Sequence, residues 1–334
     1  MQSVEIPKVK KPVRRFWKEA GVLRAKGINA ALASALFLGL SPVFGKLAIT
    51  YGLSPQAVVA MRTIFAAALL FSVIFVFRRS YLYIYPAGLL GCILAGGING
   101  LGSVLYYAAL GRINASVGQI IYSLYPLFVA LWLWFDHQPP SRLTILRLVL
   151  VIPALYLLIG AQEVDLPGVL MMLGSAALYA LHLPINQRVL FDMPAPTVTL
   201  YTLLAMSVVV IAAFGISTLS GVTNAPHSEA WLAITGLTMV TFFSRLTLFT
   251  GVKHLGGLQT ALLGLGELLI TITFSYILLG EWLTVWQWLG AVLLVVSLAL
   301  VRFEKQAPRK PSPGGWLNWL RPPGIPTDIP WNSH

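Results

Sequence analysis

The stretch GLQTALLGLGELLITITFSYILL, residues 257–279, is long and apolar, and Glu267 is its only charged side chain. A helix of about 20 residues crosses the roughly 30 Å hydrocarbon core of a bilayer. An ionised carboxylate at that depth needs a partner or a water-filled cavity. The stretch therefore predicts a transmembrane helix whose one acidic residue has a special role.

The rest of the chain has the same character. Of the 334 residues, 57% are hydrophobic and only 10% are charged, whereas soluble domains have about 25% charged residues. This composition excludes a soluble globular domain, a disordered chain, collagen and a disulfide scaffold. Cys92 is the single cysteine, and we interpret it as a packing residue. The composition predicts an all-α membrane protein.

Nine further apolar stretches raise the predicted number of transmembrane helices to ten. The ten predicted spans are 28–50, 55–77, 84–110, 114–134, 143–160, 166–189, 197–219, 230–253, 257–279 and 284–302. Residues 1–27 form a basic flank before the first span. Residues 303–334 form a Pro-rich tail that we expect to be disordered and cytoplasmic.

Basic residues are concentrated on one side of the predicted spans. With both termini on that side, it holds 19 of the 23 Lys and Arg residues, among them Arg78, Arg147 and Arg188. The positive-inside rule assigns this side to the cytoplasm. We therefore expect a multi-pass protein of the plasma (inner) membrane, with both termini cytoplasmic and with lipid rather than nucleic acid as its partner.

An internal repeat emerges when the chain is shifted by 142 residues. Four pairs of landmark residues then coincide: Pro42 with Pro184, Lys46 with Arg188, Arg112 with His254, and Tyr125 with Glu267. Each half, 28–160 and 166–302, would hold five spans, so the second half would be inserted upside down. Inverted repeats are typical of secondary transporters, which bind substrate near the midplane where the halves meet. Chance similarity between two apolar sequences is the alternative.

Short motifs in both halves resemble the EamA family of the drug/metabolite transporter superfamily. They are YYAAL (106–110), INAS (113–116) and LYPL (124–127) in the first half, and GVKHL (251–255), GEL (266–268) and LGEWLT (279–284) in the second. DHQPP (136–140) departs from the Gly-Glu pair usual in the family at that place. The resemblance covers about residues 28–302. It implies ten helices in two inverted repeats, a central cavity, and transport of small metabolites, often amino acids and usually outward.

Glu267 has a predicted partner in Arg245. Arg245 lies 11 residues before residue 256 and Glu267 lies 11 residues after it, so a helical hairpin turning there puts both at similar depth. One interpretation is a clamp that joins two helices. The other is that Glu267 binds a substrate amine or a coupling proton, with Arg245 setting its pKa or binding a substrate carboxylate. Both stay open.

Other polar residues inside predicted spans extend the candidate site. Gln119 and Tyr122 share one helix face, as do Glu267 and Thr271. The full set of candidate substrate-cavity residues is Glu267, Arg245, Gln119, Tyr122, Tyr125, Asn99, His182 and Thr271.

Four more residues inside spans have two interpretations each. Pro42 and Pro184 interrupt spans one and six, either as gating points or as packed kinks. Lys46 and Arg62 are expected to reach toward the lipid headgroups; an electropositive vestibule for an anion is the alternative. The spacing of Gly96 and Gly100 predicts close helix packing.

The sequence favours a secondary transporter that exports small metabolites by alternating access, with protons as a possible coupling ion. A Walker motif is absent, and we expect no cofactor, no metal ion and no enzymatic activity. A membrane-embedded enzyme would need clustered histidines and carboxylates, whereas the five histidines are scattered. A passive facilitator or channel remains the main alternative.

Overall fold

The apolar stretches fold into helices whose ends follow local sequence signals. The computed structural model describes residues 13–159, 165–190, 193–219, 227–279 and 284–303. Within these ranges the regular structure is helical, without β-strands. The α-helices are α1 (Val13–Thr50), α2 (Pro55–Phe77), α3 (Pro86–Leu110), α4 (Ala115–Tyr122), α5 (Tyr125–Phe135), α6 (Arg142–Ile159), α7 (Leu166–Leu190), α8 (Ala195–Leu219), α9 (Ser228–Leu255), α10 (Gly257–Gly264), α11 (Gly266–Leu279) and α12 (Val285–Ala299).

Capping residues and a glycine turn mark the boundaries between some of these helices. Ser54 caps α2 by accepting a hydrogen bond from the backbone N–H of Ala57, and Pro55 follows at the first helical position. Gly256 separates α9 from α10 with φ 86°, a conformation that favours glycine. The turn predicted at residue 256 is therefore confirmed.

Eight helical stretches within the described residues are long and apolar enough to cross a membrane. They are Gly21–Thr50, Pro55–Phe77, Pro86–Leu110, Ala115–Phe135, Leu166–Leu190, Ala195–Leu219, Ser228–Leu255 and Gly257–Leu278. They confirm eight of the predicted spans, although the first helix begins earlier, at Val13. α6 and α12, of 18 and 15 residues, occupy the fifth and tenth predicted spans. A total of ten membrane helices stays a prediction.

Some sequence features lie outside the described residues. They are the start of the basic flank (1–12), Gly280 to Leu283 of the LGEWLT motif, and all but the first residue of the Pro-rich tail.

The distribution of side chains is the reverse of that in a soluble protein. Large apolar side chains such as Phe77, Leu219 and Leu232 are exposed on the outside of the bundle, whereas Arg62 and Glu267 are buried inside it. An apolar exterior of this extent suits a lipid surrounding.

Helix ends that the sequence places on one side of the membrane contact one another. Lys46 donates hydrogen bonds to the carbonyl oxygens of Leu110 (2.7 Å) and Ile113 (3.0 Å), at the C-terminus of α3. Lys46 was expected to extend to the headgroups, but carbonyls without helical partners hold its ammonium group instead. Arg112 forms an ion pair with Asp165 (3.5 Å) near the same end.

Two basic residues that were counted among the loops are instead buried within helices. Arg188 in α7 pairs with Asp136 at the C-terminus of α5, at 2.5 Å. Arg147 in α6 donates to the carbonyl of Ser297 (3.1 Å) and to Oε1 of Gln259 (2.7 Å). A count of basic residues around the spans could not distinguish these two buried arginines from arginines exposed to water. Their hydrogen-bonding and ion-pair partners come from distant parts of the chain.

The helix bounds repeat with the same offset as the sequence landmarks. Adding 142 to the bounds of α4, 115 and 122, gives 257 and 264, the bounds of α10. Helix packing repeats as well: α1 packs against α9, α10 and α11, and α7 packs against their counterparts α3, α4 and α5. α2 packs against α8, and α6 against α12. These equivalences favour an internal repeat; its inversion in the membrane remains a prediction.

The fourth and ninth predicted spans are each broken in the middle, between α4 and α5 and between α10 and α11. Pro126 has no N–H to donate to the carbonyl of Tyr122, so the helical ladder is interrupted there. Gly264 and Gly266 flank the second break, where their low helix propensity weakens the ladder. Hydrophobicity and length predict both spans as continuous helices, so neither break was predicted.

The spacing of Gly96 and Gly100 allows close helix packing, as predicted. A Cβ added at Gly96 would lie 2.5 Å from the carbonyl oxygen of Thr202 in α8. One added at Gly100 would lie 2.9 Å from Cβ of Val209 in the same helix. Glycine at both positions therefore sets the distance between α3 and α8.

Candidate functional site

A small cavity lies between helices from both halves of the chain. Its volume is about 40 Å³, and the described part of its wall contains three charged side chains, Arg62, Arg245 and Glu267. This volume holds a few water molecules and is too small for a metabolite.

Glu267 lies at the break in the ninth span, in the first turn of α11. The break puts its carboxylate at the N-terminus of a half-helix, where the helix dipole favours negative charge. The side chain is 2% exposed and forms a hydrogen bond with the side chain of Gln119. Its Oε1 has no hydrogen-bond partner among the described residues.

Arg245 in α9 contacts the same cavity and is 5% exposed. With the Asn99 amide oriented to satisfy both groups, its oxygen lies 3.2 and 3.3 Å from the two terminal guanidinium nitrogens. The guanidinium also lies 5.8 Å from the ring centre of Tyr179, within range of a cation–π interaction.

The predicted direct contact between Arg245 and Glu267 is not formed. Among the described residues, the ion pairs do not include one between these side chains. Asn99 and Gln119 bind them instead, so they attract each other across the cavity without touching. Equal depth predicted their shared location correctly, but it could not predict which neutral side chains would lie between them.

Arg62 was predicted to reach toward the lipid headgroups but lines the cavity instead. It is 5% exposed and donates hydrogen bonds to Oγ1 of Thr241 (3.3 Å) and Oγ of Ser103 (3.2 Å). Its guanidinium lies 4.8 Å from the centre of the Tyr107 ring. It does not extend to the headgroups as expected, because α3 and α9 supply polar partners inside the bundle. Its position as a basic residue inside an apolar span was the feature of the sequence that could have predicted its place in the cavity.

Five of the eight predicted cavity residues line the cavity. They are Glu267, Arg245, Gln119, Tyr122 and Asn99. The structure thus brings together polar residues from α3, α4, α9 and α11, although their part in binding remains a prediction.

The other three candidates, Tyr125, His182 and Thr271, are buried nearby without lining the described cavity wall. The Tyr125 hydroxyl donates to the carbonyl of Ala261 (2.9 Å). Thr271 donates to the carbonyl of Gly39 (2.7 Å), and Nδ1 of His182 contacts the carbonyl of Tyr179. These contacts join helices or stabilise one locally.

Tyrosine side chains form much of the cavity wall, and three of them were not predicted as site residues: Tyr106, Tyr107 and Tyr179. Tyr106 donates to Oε1 of Gln119 (3.0 Å). The Tyr122 ring lies 5.0 Å from that of Tyr106 and 5.3 Å from that of Tyr179. Tyrosine is usual at membrane interfaces. Tyr179 lies in the middle of α7, so its depth was a signal that could have identified it, whereas Tyr106 and Tyr107 lie near the end of α3, where tyrosine is expected.

Pro42 and Pro184 lie inside α1 and α7, where each is buried. Each removes the hydrogen bond to the carbonyl four residues earlier. For Pro42 that residue is Leu38, whose side chain contacts the cavity. Both prolines therefore weaken a helix next to the cavity, and their gating role stays a prediction.

Comparisons with known proteins agree with this architecture. The chain is 24% identical over 283 residues to "Uncharacterized transporter YcbK" of Bacillus subtilis (strain 168), covering 79% of this chain and 90% of that protein. It is 26% identical over 222 residues to "Uncharacterized transporter sll1319" of Synechocystis sp. (strain ATCC 27184 / PCC 6803 / Kazusa), covering 61% of this chain and 64% of that protein. A crystal structure of 15% sequence identity has the same fold, with a TM-score of 0.67 over 84% of this chain and 97% of its own.

The sequence model of one family matches both halves of the chain. Its description is "EamA-like transporter family", and it matches residues 25–160 and again 166–303. The two matches cover most of the chain and all of the helices that contact the cavity. This multi-pass membrane protein therefore belongs to the EamA-like transporter family.

Proposed function

We propose that this protein is a secondary transporter for small metabolites, such as amino acids or related compounds. It exports them across the plasma membrane by alternating access through the central cavity. The observation that carries the proposal is the set of buried, incompletely bonded charges in that cavity: within the part of the chain that the structure describes, Nε of Arg62, Nε of Arg245 and Oε1 of Glu267 lack hydrogen-bond partners. Charges at membrane depth are costly and usually mark a substrate or ion pathway.

Alternating access requires that the cavity open to one side at a time. Ion pairs join helix ends on both sides of the described bundle: Arg112 with Asp165 at one end, and Asp136 with Arg188 at the other. Each of these contacts would break when its own end opens. The repeated helix bounds support a transport cycle in which two inverted halves exchange conformations, with Pro42 as one flexible point.

Glu267 and Arg245 have complementary roles in this proposal. The carboxylate of Glu267 binds a substrate amine or a coupling proton, and the guanidinium of Arg245 binds a substrate carboxylate. The hydrogen bonds with Gln119 and Asn99 orient the two groups.

The test is flux through the purified protein in proteoliposomes, using a mixture of labelled amino acids with and without a pH gradient. Glu267→Gln keeps the shape of the side chain and its bond to Gln119, so the variant should fold. We expect its transport per folded molecule to fall at least about tenfold, because the charge that binds amine or proton is lost.

Glu229→Gln is the matched control, since Glu229 is exposed at the start of α9, outside the cavity. It should transport like the wild type. Transport by Glu267→Gln at the wild-type rate would overturn the assigned role. Wild-type flux that does not respond to the pH gradient would point to a passive facilitator.

A further inference from the structure

The described wall of the cavity contains more positive than negative charge. Two guanidinium groups, those of Arg62 and Arg245, face the same space as one carboxylate, that of Glu267. All three side chains are at least nine-tenths buried. Because Arg62 and Arg245 line the same small cavity, their like charges repel each other.

Within the described ranges, neither guanidinium is neutralised by a carboxylate in direct contact. Arg62 is bound by hydroxyl groups of Thr241 and Ser103, and Arg245 by the amide oxygen of Asn99. These partners satisfy some donors but carry no charge. In a low-dielectric interior, an unneutralised cation is unfavourable until an anion occupies the site.

The unfilled hydrogen-bonding positions show which chemical groups would fit. Among the described residues, Nε of Arg62 and Nε of Arg245 are donors without acceptors, and Oε1 of Glu267 is an acceptor without a donor. Guanidinium groups match carboxylates in geometry and charge. An occupant with two carboxylates and one ammonium group would therefore complement the three charged side chains group by group.

We propose that the substrate of this transporter is an acidic amino acid, bound with its two carboxylates on Arg62 and Arg245 and its ammonium group on Glu267. The inference rests on the proposed function and deepens it, since it adds the charge of the substrate and assigns Arg62 a role in specificity. The cavity of about 40 Å³ must widen to admit such a molecule, as alternating access requires.

The experiment compares labelled L-glutamate with labelled L-glutamine in proteoliposomes, because the two differ in charge and hardly in size. The wild type should move glutamate at least about tenfold faster, since leaving one buried guanidinium without a counter-charge costs about a factor of ten or more. A glutamate-dependent rise in melting temperature, absent with glutamine, is the independent binding measurement.

Two variants lower the charge of the cavity by one in different ways. Arg62→Gln removes one guanidinium, and Asn99→Asp places a carboxylate of the same shape against Arg245. Both should reduce the glutamate-to-glutamine ratio of transport at least about tenfold per folded molecule. Arg62→Lys keeps the charge and should keep the preference.

Arg78→Gln is the matched control, because it removes an exposed positive charge outside the cavity and away from the contacts at the bundle ends, and it should leave the ratio unchanged. A wild type that moves glutamine or other neutral or cationic solutes but not glutamate would overturn the inference while the proposed function stands. Equal ratios in the wild type, Arg62→Gln and Asn99→Asp would also overturn it. Loss of flux for every solute, by contrast, would contradict the proposed function itself.

Discussion

Gly264 is the residue at which the two broken spans touch. It is the last residue of α10, and a Cβ at this position would overlap the hydroxyl oxygen of Tyr125 from the other break. The same hydroxyl donates a hydrogen bond to the carbonyl of Ala261, one turn earlier in α10. A glycine and a tyrosine therefore fix the crossing of α5 and α10 next to the cavity.

Replacing Gly264 by alanine should destabilise the folded protein, because the new methyl group overlaps the Tyr125 hydroxyl. Overpacking of this kind costs about 1–3 kcal/mol. Tyr125→Phe removes that oxygen and loses one hydrogen bond, worth about 1 kcal/mol. The thermal unfolding midpoint of Gly264→Ala should therefore rise when Tyr125→Phe is added. If the double variant is as unstable as the sum of the two single changes, the overlap is not the cause.

The ion pair of Asp136 and Arg188 joins α5 to α7 across the two halves. Its side chains are 0% and 4% exposed, respectively. Gln138 also donates a hydrogen bond to Asp136 (2.9 Å), so the carboxylate is held at the end of its helix. A buried pair of this type contributes less through its own attraction than through the penalty for breaking it.

Asp136→Asn should lower the melting temperature strongly, because it leaves Arg188 as a buried cation without its counter-charge. The expected loss for such a change is about 3–5 kcal/mol. Adding Arg188→Met removes the stranded charge and should restore most of the stability, as measured by thermal unfolding in detergent. A double variant no more stable than Asp136→Asn alone would contradict this account.

Across the whole molecule, polar contacts gather at the two ends of the helix bundle and around the central cavity. His227 at the start of α9 donates its N–H to the carbonyl of Tyr51 (3.0 Å), just after α1. At the opposite end, Gly257 at the start of α10 donates its N–H to Oε1 of Gln187 (2.7 Å) in α7. Apolar side chains cover the outer surface between the two ends. Each end of the bundle therefore has its own set of polar contacts.

The orientation of these ends in the membrane can be tested by cysteine labelling in a Cys92→Ala background. Glu229 and Arg78 are both exposed and lie in helix ends or loops predicted for opposite sides. Glu229→Cys should react with an impermeant reagent added outside intact cells, and Arg78→Cys should react only after permeabilisation. The Cys92→Ala protein itself should remain unlabelled. External labelling at Arg78 alone would reverse the predicted topology.

The positions of most spans could be predicted from sequence because length and hydrophobicity are local properties. Local sequence predicted the eight confirmed spans, the turn at Gly256 and the close packing at Gly96 and Gly100. The equal depth of Arg245 and Glu267 followed from counting residues around one turn.

Only the tertiary structure decided which polar groups meet inside the bundle. Arg62 and its partner Thr241 are separated by 179 residues, and Arg188 lies 52 residues from Asp136. Hydrophobicity gives the depth of each helix but not its rotation or its neighbours. Arg62 was therefore assigned to the headgroups and Arg188 to a loop. Their actual locations depend on packing between distant helices, which supplies the hydroxyl and carboxylate groups that make a buried guanidinium stable.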